Sequence, residues 1–174
     1  MPDAANTVRL NAALANPKED IASLDALEQH LFAHRYAIDE IISFGPSIDP
    51  AKATEERGQA YSILERERQE LLCSAETGAL LNRLTDNEAL LDDTRAAQVR
   101  VLQHDRASLV DVPSDEQAEF SRLTVEANDV WRRAKAANDW ASFEPYVDRI
   151  VMAKRRFAGF KNPSADPYDV WLNE

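Results

Sequence analysis

At 174 residues the chain is long enough for one domain that buries roughly two thirds of the surface its unfolded form exposes. A hydrophobic fraction of 44%, only four glycines and runs rich in Ala, Leu, Glu and Arg favour an all-α chain over a sheet or a disordered polymer. The 31 acidic against 20 basic side chains, a net charge of −11, repel a phosphate backbone and give no pull toward anionic lipid, so neither nucleic acid nor membrane is an expected partner.

Residues 1–15 are expected to be flexible. They carry neither a basic leader nor an apolar stretch, and no run of about 18 apolar residues occurs anywhere, which points to a cytoplasmic protein. Asn16-Pro17-Lys18-Glu19 reads as a helix start, with Asn16 as the cap, Pro17 in the first turn and Glu19 reaching back. Ile21, Leu24, Leu27, Leu31, Ile38 and Ile41 then recur at helical spacing and mark a core stripe. Gly45-Pro46 and Asp49-Pro50 stop this helix near Ser43 and open the next, which carries Tyr61, Leu64, Arg68, Leu71 and Leu72 to about Cys73. A short helix is expected from about Ala75 to Leu84. Thr85-Asp86-Asn87-Glu88 has the form of a capping box and is expected to launch a helix to about Leu109. Pro113-Ser114-Asp115-Glu116-Gln117 repeats the device for a helix to about Ala137. Asn138-Asp139 turns the chain into a helix from Trp140 to near Gly159, and Tyr168 to Glu174 begins one more. About six helices in a single domain, 1–174, is the simplest partition.

Charge is uneven along this array. Val130 to Lys161 holds Arg132, Arg133, Lys135, Arg149, Lys154, Arg155, Arg156 and Lys161 against Asp139, Glu144 and Asp148. The favoured reading is a helical pair that solvates itself and lies against acidic helices; the alternative is a surface for carboxylates. Trp131, Trp140, Phe143, Tyr146 and Phe157 gather near the Asn138-Asp139 turn, either as the packed elbow of a hairpin, which is favoured, or as an aromatic recognition patch. Cys73, the single cysteine, allows no intrachain disulfide and reads as a small core residue.

No complete catalytic signature is present, and no catalytic, cofactor-binding or metal residue is assigned. His30 and His34 stand four apart, the spacing of two zinc ligands on one helix face, but Leu31 occupies the place of the glutamate that would activate a metal-bound water. His104 lies two expected helices away, so surface or partly buried histidines are the better reading. The pairs Asp39-Glu40, Glu55-Glu56 and Asp92-Asp93 point about 100° apart on a helix and read as solvated faces.

The segment Trp131-Arg132-Arg133-Ala134-Lys135-Ala136-Ala137-Asn138-Asp139-Trp140-Ala141-Ser142-Phe143-Glu144-Pro145 resembles the frame W-x-x-A-[KR]-x-x-N-D-[FW]-x-x-F-x-P of the carboxypeptidase Taq family of zinc carboxypeptidases. The likeness runs on through Ile150-Val151 and Lys154-Arg155 to Pro167-Tyr168-Asp169. It also reaches back through Gly78-Ala79-Leu80-Leu81 and Arg57 to Leu64, so that it covers the chain from about Leu24. The resemblance implies a longer, mostly helical, cytoplasmic and commonly dimeric enzyme that removes single residues from peptide C-termini with zinc or cobalt. It places the metal and catalytic groups in a C-terminal half beyond this chain, leaving the N-terminal helices as wall and cover of the cleft. Family members often read Trp-Asp-Gln where this sequence has Phe44-Gly45-Pro46, a loss of an acid and an amide that sets the chain apart from ordinary members. The ending at Tyr168 to Glu174, with a helix barely begun and Trp171 expected to lack a partner, reads as a cut through that longer protein. Exposed apolar faces would then favour a homo-oligomer. The alternative is a stand-alone, non-catalytic helical binding or adaptor protein of the same family.

Overall fold

A computed structural model describes residues 16–43 and 50–172 of the chain. Seven α-helices and one 3-10 turn follow in order among the described residues: α1 (Pro17–Ser43), α2 (Pro50–Cys73), α3 (Ala75–Asp86), the 3-10 turn (Glu88–Leu90), α4 (Asp93–Leu109), α5 (Ser114–Ala137), α6 (Trp140–Lys161) and α7 (Pro167–Leu172). No strand occurs among these residues, in keeping with the composition. The expected flexibility of residues 1–15 and the Phe44-Gly45-Pro46 replacement lie outside the described residues.

Local chemistry sets most of the boundaries. The Asn16 side-chain oxygen accepts from the Lys18 amide at 3.1 Å, and Pro17 opens α1. At the break between α2 and α3, Ser74 Oγ accepts from the Thr77 amide at 3.0 Å, and Arg106 of α4 donates to the Leu72 carbonyl at 2.8 Å. Gly78 makes room for that arginine, since a Cβ there would stand 2.9 Å from its guanidinium. Asn138 takes the left-handed conformation, with φ of 53°, that ends α5, and Asp139 caps α6 by accepting from the Ser142 amide.

Two of the expected helix starts differ. Thr85 does not cap a following helix; its hydroxyl donates to the Leu81 carbonyl at 2.9 Å, and α3 continues to Asp86. The start of α4 falls at Asp92, whose carboxylate accepts from the Arg95 amide at 2.9 Å. At the head of α5, Pro113 holds the cap position without a side-chain bond, and Ser114 Oγ donates instead to Glu70 of α2 at 3.3 Å.

Leu24 and Leu27 of α1, Leu80, Leu81 and Leu84 of α3 and Val99 of α4 form the buried cluster, bordered by Ile21, Leu31, Leu71, Leu91 and Leu102. Each such leucine contributes about 1.5–3 kcal/mol by leaving water. The bidentate pair of Arg83 with buried Asp20 ties α3 to α1 at 2.8–3.2 Å. The most extensive helix contact joins α2 to α5. There Gln69 donates to the Leu109 and Val112 carbonyls at 3.1 and 2.6 Å, holding the α4–α5 turn.

On the other side of α5, Phe157 of α6 is 3% exposed and meets Phe120 edge to face, with ring centroids 5.4 Å apart. The expected aromatic elbow is not packed as one cluster. Trp140 pairs with Phe143 at 5.9 Å but remains 59% exposed, Trp131 is 41% exposed, and Phe157 belongs to the distant Phe120 contact. Trp171 also departs from expectation, because it has partners. Its indole donates to the Lys154 carbonyl at 3.2 Å, and the amines of Lys154 and Lys161 lie 4.2 and 4.7 Å from its ring.

Candidate functional site

Three helical stripes meet around an open groove of about 1380 Å³. Along α1, Leu31, Phe32, Arg35, Ile38, Asp39 and Ile42 fall three and four residues apart and therefore share one face. Along α4 the same spacing brings Thr94, Ala97, Gln98, Val101, Leu102 and Asp105 to the opposite wall, while Tyr61, Glu65, Arg68 and Leu72 of α2 complete the lining. Polar bridges join the walls at one end: Arg95 reaches Asp25 at 3.3 Å, and Gln98 donates to Glu28 at 3.0 Å.

The lining is acidic. Asp25, Glu28, Asp39, Glu65, Asp93 and Asp105 face only Arg35 and Arg68. Of these acids, Glu65 is buried and paired with Arg68 at 3.0 Å, and Asp25 is held by Arg95. Among the described residues no ion pair engages Asp39, Asp93 or Asp105. Burial, then the neighbouring Asp25 charge, holds the Glu28 carboxyl above its ordinary value against the pull of Arg95. Burial, followed by Glu65, likewise raises the Tyr61 phenol.

A smaller cavity of about 190 Å³ shares Ile42 and Tyr61 with the groove and continues toward α5. Its two charged members pair with each other: Asp129 accepts from Arg57 Nη2 at 2.6 Å and from the Thr54 hydroxyl, which makes it a brace between α2 and α5.

His30 is exposed. His34 Nδ1 donates to the His30 carbonyl at 2.8 Å, and its Nε2 lies 3.4 Å from Glu67. The described residues contain no group of three or more His, Cys, Asp or Glu that could hold a metal. The described residues therefore do not fit a metal centre. Cys73 is partly buried, and burial raises its thiol above the ordinary value, the opposite of an activated nucleophile. Asp39 and Asp93, taken from sequence as solvated, are exposed but line the groove. The carboxylates Asp25, Glu28 and Asp105 and the exposed ring of Phe32 also line the groove, and their only signal in the sequence is recurrence at helical spacing.

The described helices thus form an all-α scaffold around an acidic groove. Residues 38–174 match the family described as carboxypeptidase Taq (M32) metallopeptidase, and the chain belongs to that family. It is 31% identical over 124 residues to thermostable carboxypeptidase 1 of Pyrococcus furiosus, covering 71% of this chain and 25% of that protein. With carboxypeptidase 1 of Bacillus subtilis the identity is 24% over 125 residues, again 71% of this chain and 25% of the relative. The chain spans about a quarter of the length of these curated relatives. The crystal structure of BsuCP superposes with a TM-score of 0.78 over 88% of this chain and 31% of that one; at 19% identity this establishes a shared helical fold. No helix among the described residues is long and apolar enough to cross a membrane.

Proposed function

We propose that the chain is the N-terminal helical region of a cytoplasmic, metal-dependent carboxypeptidase that removes C-terminal residues from peptides. In this reading α1, α2 and α4 supply a cleft wall and govern substrate access. Zinc or cobalt, and the groups that act on the scissile bond, come from a C-terminal half of the polypeptide. The observation that carries it is the family match over residues 38–174 in a chain spanning a quarter of its curated relatives. The cleft that α1, α2 and α4 line supports the assigned role. Metal chemistry belongs to the rest of the protein, and the residues described here orient and admit peptide.

The test is peptidase activity on peptides with free and blocked C-termini, with added zinc or cobalt, comparing this chain with the product of the complete reading frame. Activity confined to the longer protein and to free C-termini is the expected result. A chain that is active alone, or a longer protein that is inactive, overturns the reading. The second reading, a stand-alone helical binding or adaptor protein of the family, is favoured by the replacement of Trp-Asp-Gln by Phe44-Gly45-Pro46.

A further inference from the structure

We propose that the groove between α1, α2 and α4 binds the upstream, cationic part of an extended peptide, with basic side chains meeting Asp39, Asp93 and Asp105 and apolar ones lying on Phe32, Ile42 and Val101. The inference rests on the proposed carboxypeptidase reading insofar as it takes that peptide to be a substrate. The groove itself combines two unmet needs. Phe32, Ile42 and Val101 are 67%, 38% and 58% exposed, so they hold apolar surface in water. Three carboxylates on the same walls have no cationic partner among the described residues, and Glu28 is already crowded by Asp25. An acidic peptide would meet like charge along both walls, whereas a purely apolar one would leave the carboxylates unanswered.

Length narrows the ligand further. Asp93 and Asp105 mark the two ends of the α4 stripe, about 18 Å apart at the 1.5 Å rise of a helix. Five or six residues of extended peptide, at about 3.3 Å each, cover that span. The geometry therefore favours a peptide with basic residues about five positions apart and apolar residues between them. Each exposed contact is individually weak and screened by salt, so recognition comes from several together.

The test uses a fluorescein-labelled hexapeptide, Arg-Leu-Ala-Leu-Ala-Arg, against its counterpart with glutamate in place of both arginines, by fluorescence anisotropy on this chain and on the complete-reading-frame protein. The basic peptide is expected to bind at least about ten-fold tighter, and to weaken as salt rises from about 0.05 to 0.5 M. The triple variant Asp39→Asn, Asp93→Asn, Asp105→Asn is expected to lose roughly ten-fold in affinity. Because Asp93 sits in the first turn of α4, a second variant avoids it: Asp39→Lys with Asp105→Lys is expected to reverse the preference toward the acidic peptide. Equal binding of the two peptides, or no reversal in the lysine variant, overturns the proposal. So does a dimer of this chain that the lysine variant dissociates, since the groove then holds a second copy. Loss of peptide binding in the longer protein overturns it as well, because the remaining polypeptide then fills the groove. If the longer protein binds the basic peptide with the same preference yet hydrolyses nothing, the carboxypeptidase reading falls and the groove assignment stands. If it does hydrolyse, the lysine variant is expected to raise KM for long basic peptides by about ten-fold and leave kcat unchanged.

Discussion

The α1–α2–α4 side of the molecule holds the acidic groove and the α5–α6–α7 side holds the basic stretch Val130 to Lys161, and the two dispose of their charge differently. On the second side cations are covered: Lys154 lies 5.1 Å from the Phe120 ring and 4.2 Å from Trp171, Lys135 lies over Trp131, and Arg149 over Tyr146. Arg156 and Arg149 reach Glu116 and Glu126, so the acids that the basic stretch meets lie on α5 itself. Burial lowers the Lys154 amine below the usual lysine value, yet aromatic faces replace part of its lost water. The acidic side has no such device. Arg68 is spent on Glu65 and Arg95 on Asp25, and among the described residues no ion pair engages Asp39, Asp93 or Asp105. Charge satisfied inside the fold serves packing, whereas charge left facing a cleft remains able to select what enters.

That contrast is broken first if the two sides do not fold as one unit. Leu81→Ala, in the α1–α3–α4 cluster, and Phe157→Ala, in the α5–α6 contact, are each expected to cost about 2–5 kcal/mol in urea unfolding. Both are expected to shift a single transition without changing its slope; two separate transitions would make the sides independent domains. Next in size is Arg83→Met. It leaves Asp20, a buried carboxylate, without its bidentate partner and is expected to cost roughly 1–3 kcal/mol. An effect that vanished in high salt would mean the pair behaves as an ordinary surface bridge. Smaller again, Trp171→Phe keeps a ring under Lys154 and removes only the indole donor to its carbonyl. The expected loss is roughly 0.5–1.5 kcal/mol, and faster amide exchange in α7 with α6 unchanged would locate it.

Helix order was legible in the sequence because apolar residues at i, i+3 and i+4 and the Pro and Gly breaks are local signals. Asn16 and Asn138 mark boundaries the same way. Thr85 misled because a hydroxyl in a helix can bond to the carbonyl four residues back as well as cap a new start, and Asp92 offered the better cap. Trp171 and the aromatic residues near Asn138 were misjudged for a different reason. Which ring meets which depends on where α6 and α7 lie on α5, a tertiary fact that no short window carries. The groove was hidden on the same ground: its carboxylates come from three helices, and the stripes of α1 and α4 converge only after the leucine cluster has formed between them.

The smallest effect tests the acidic wall directly. Gln98 donates to Glu28, but burial and the Asp25 charge raise the carboxyl above its unfolded value, so the folded chain binds this proton more tightly than the unfolded one. The stability linked to that proton is complete below the unfolded pKa of about 4.3 and is lost as pH rises through the higher folded value. Glu28→Gln removes the charge and can still accept from Gln98. It is therefore expected to be more stable than the wild type at pH 7, by a few tenths of a kcal/mol at a site so open to water, and equal to it near pH 4. Urea unfolding at the two pH values reads the difference. A variant less stable at pH 7 would mean that the charged bond from Gln98 outweighs desolvation and Asp25, and the acidic wall would then satisfy its own charge as the basic side does.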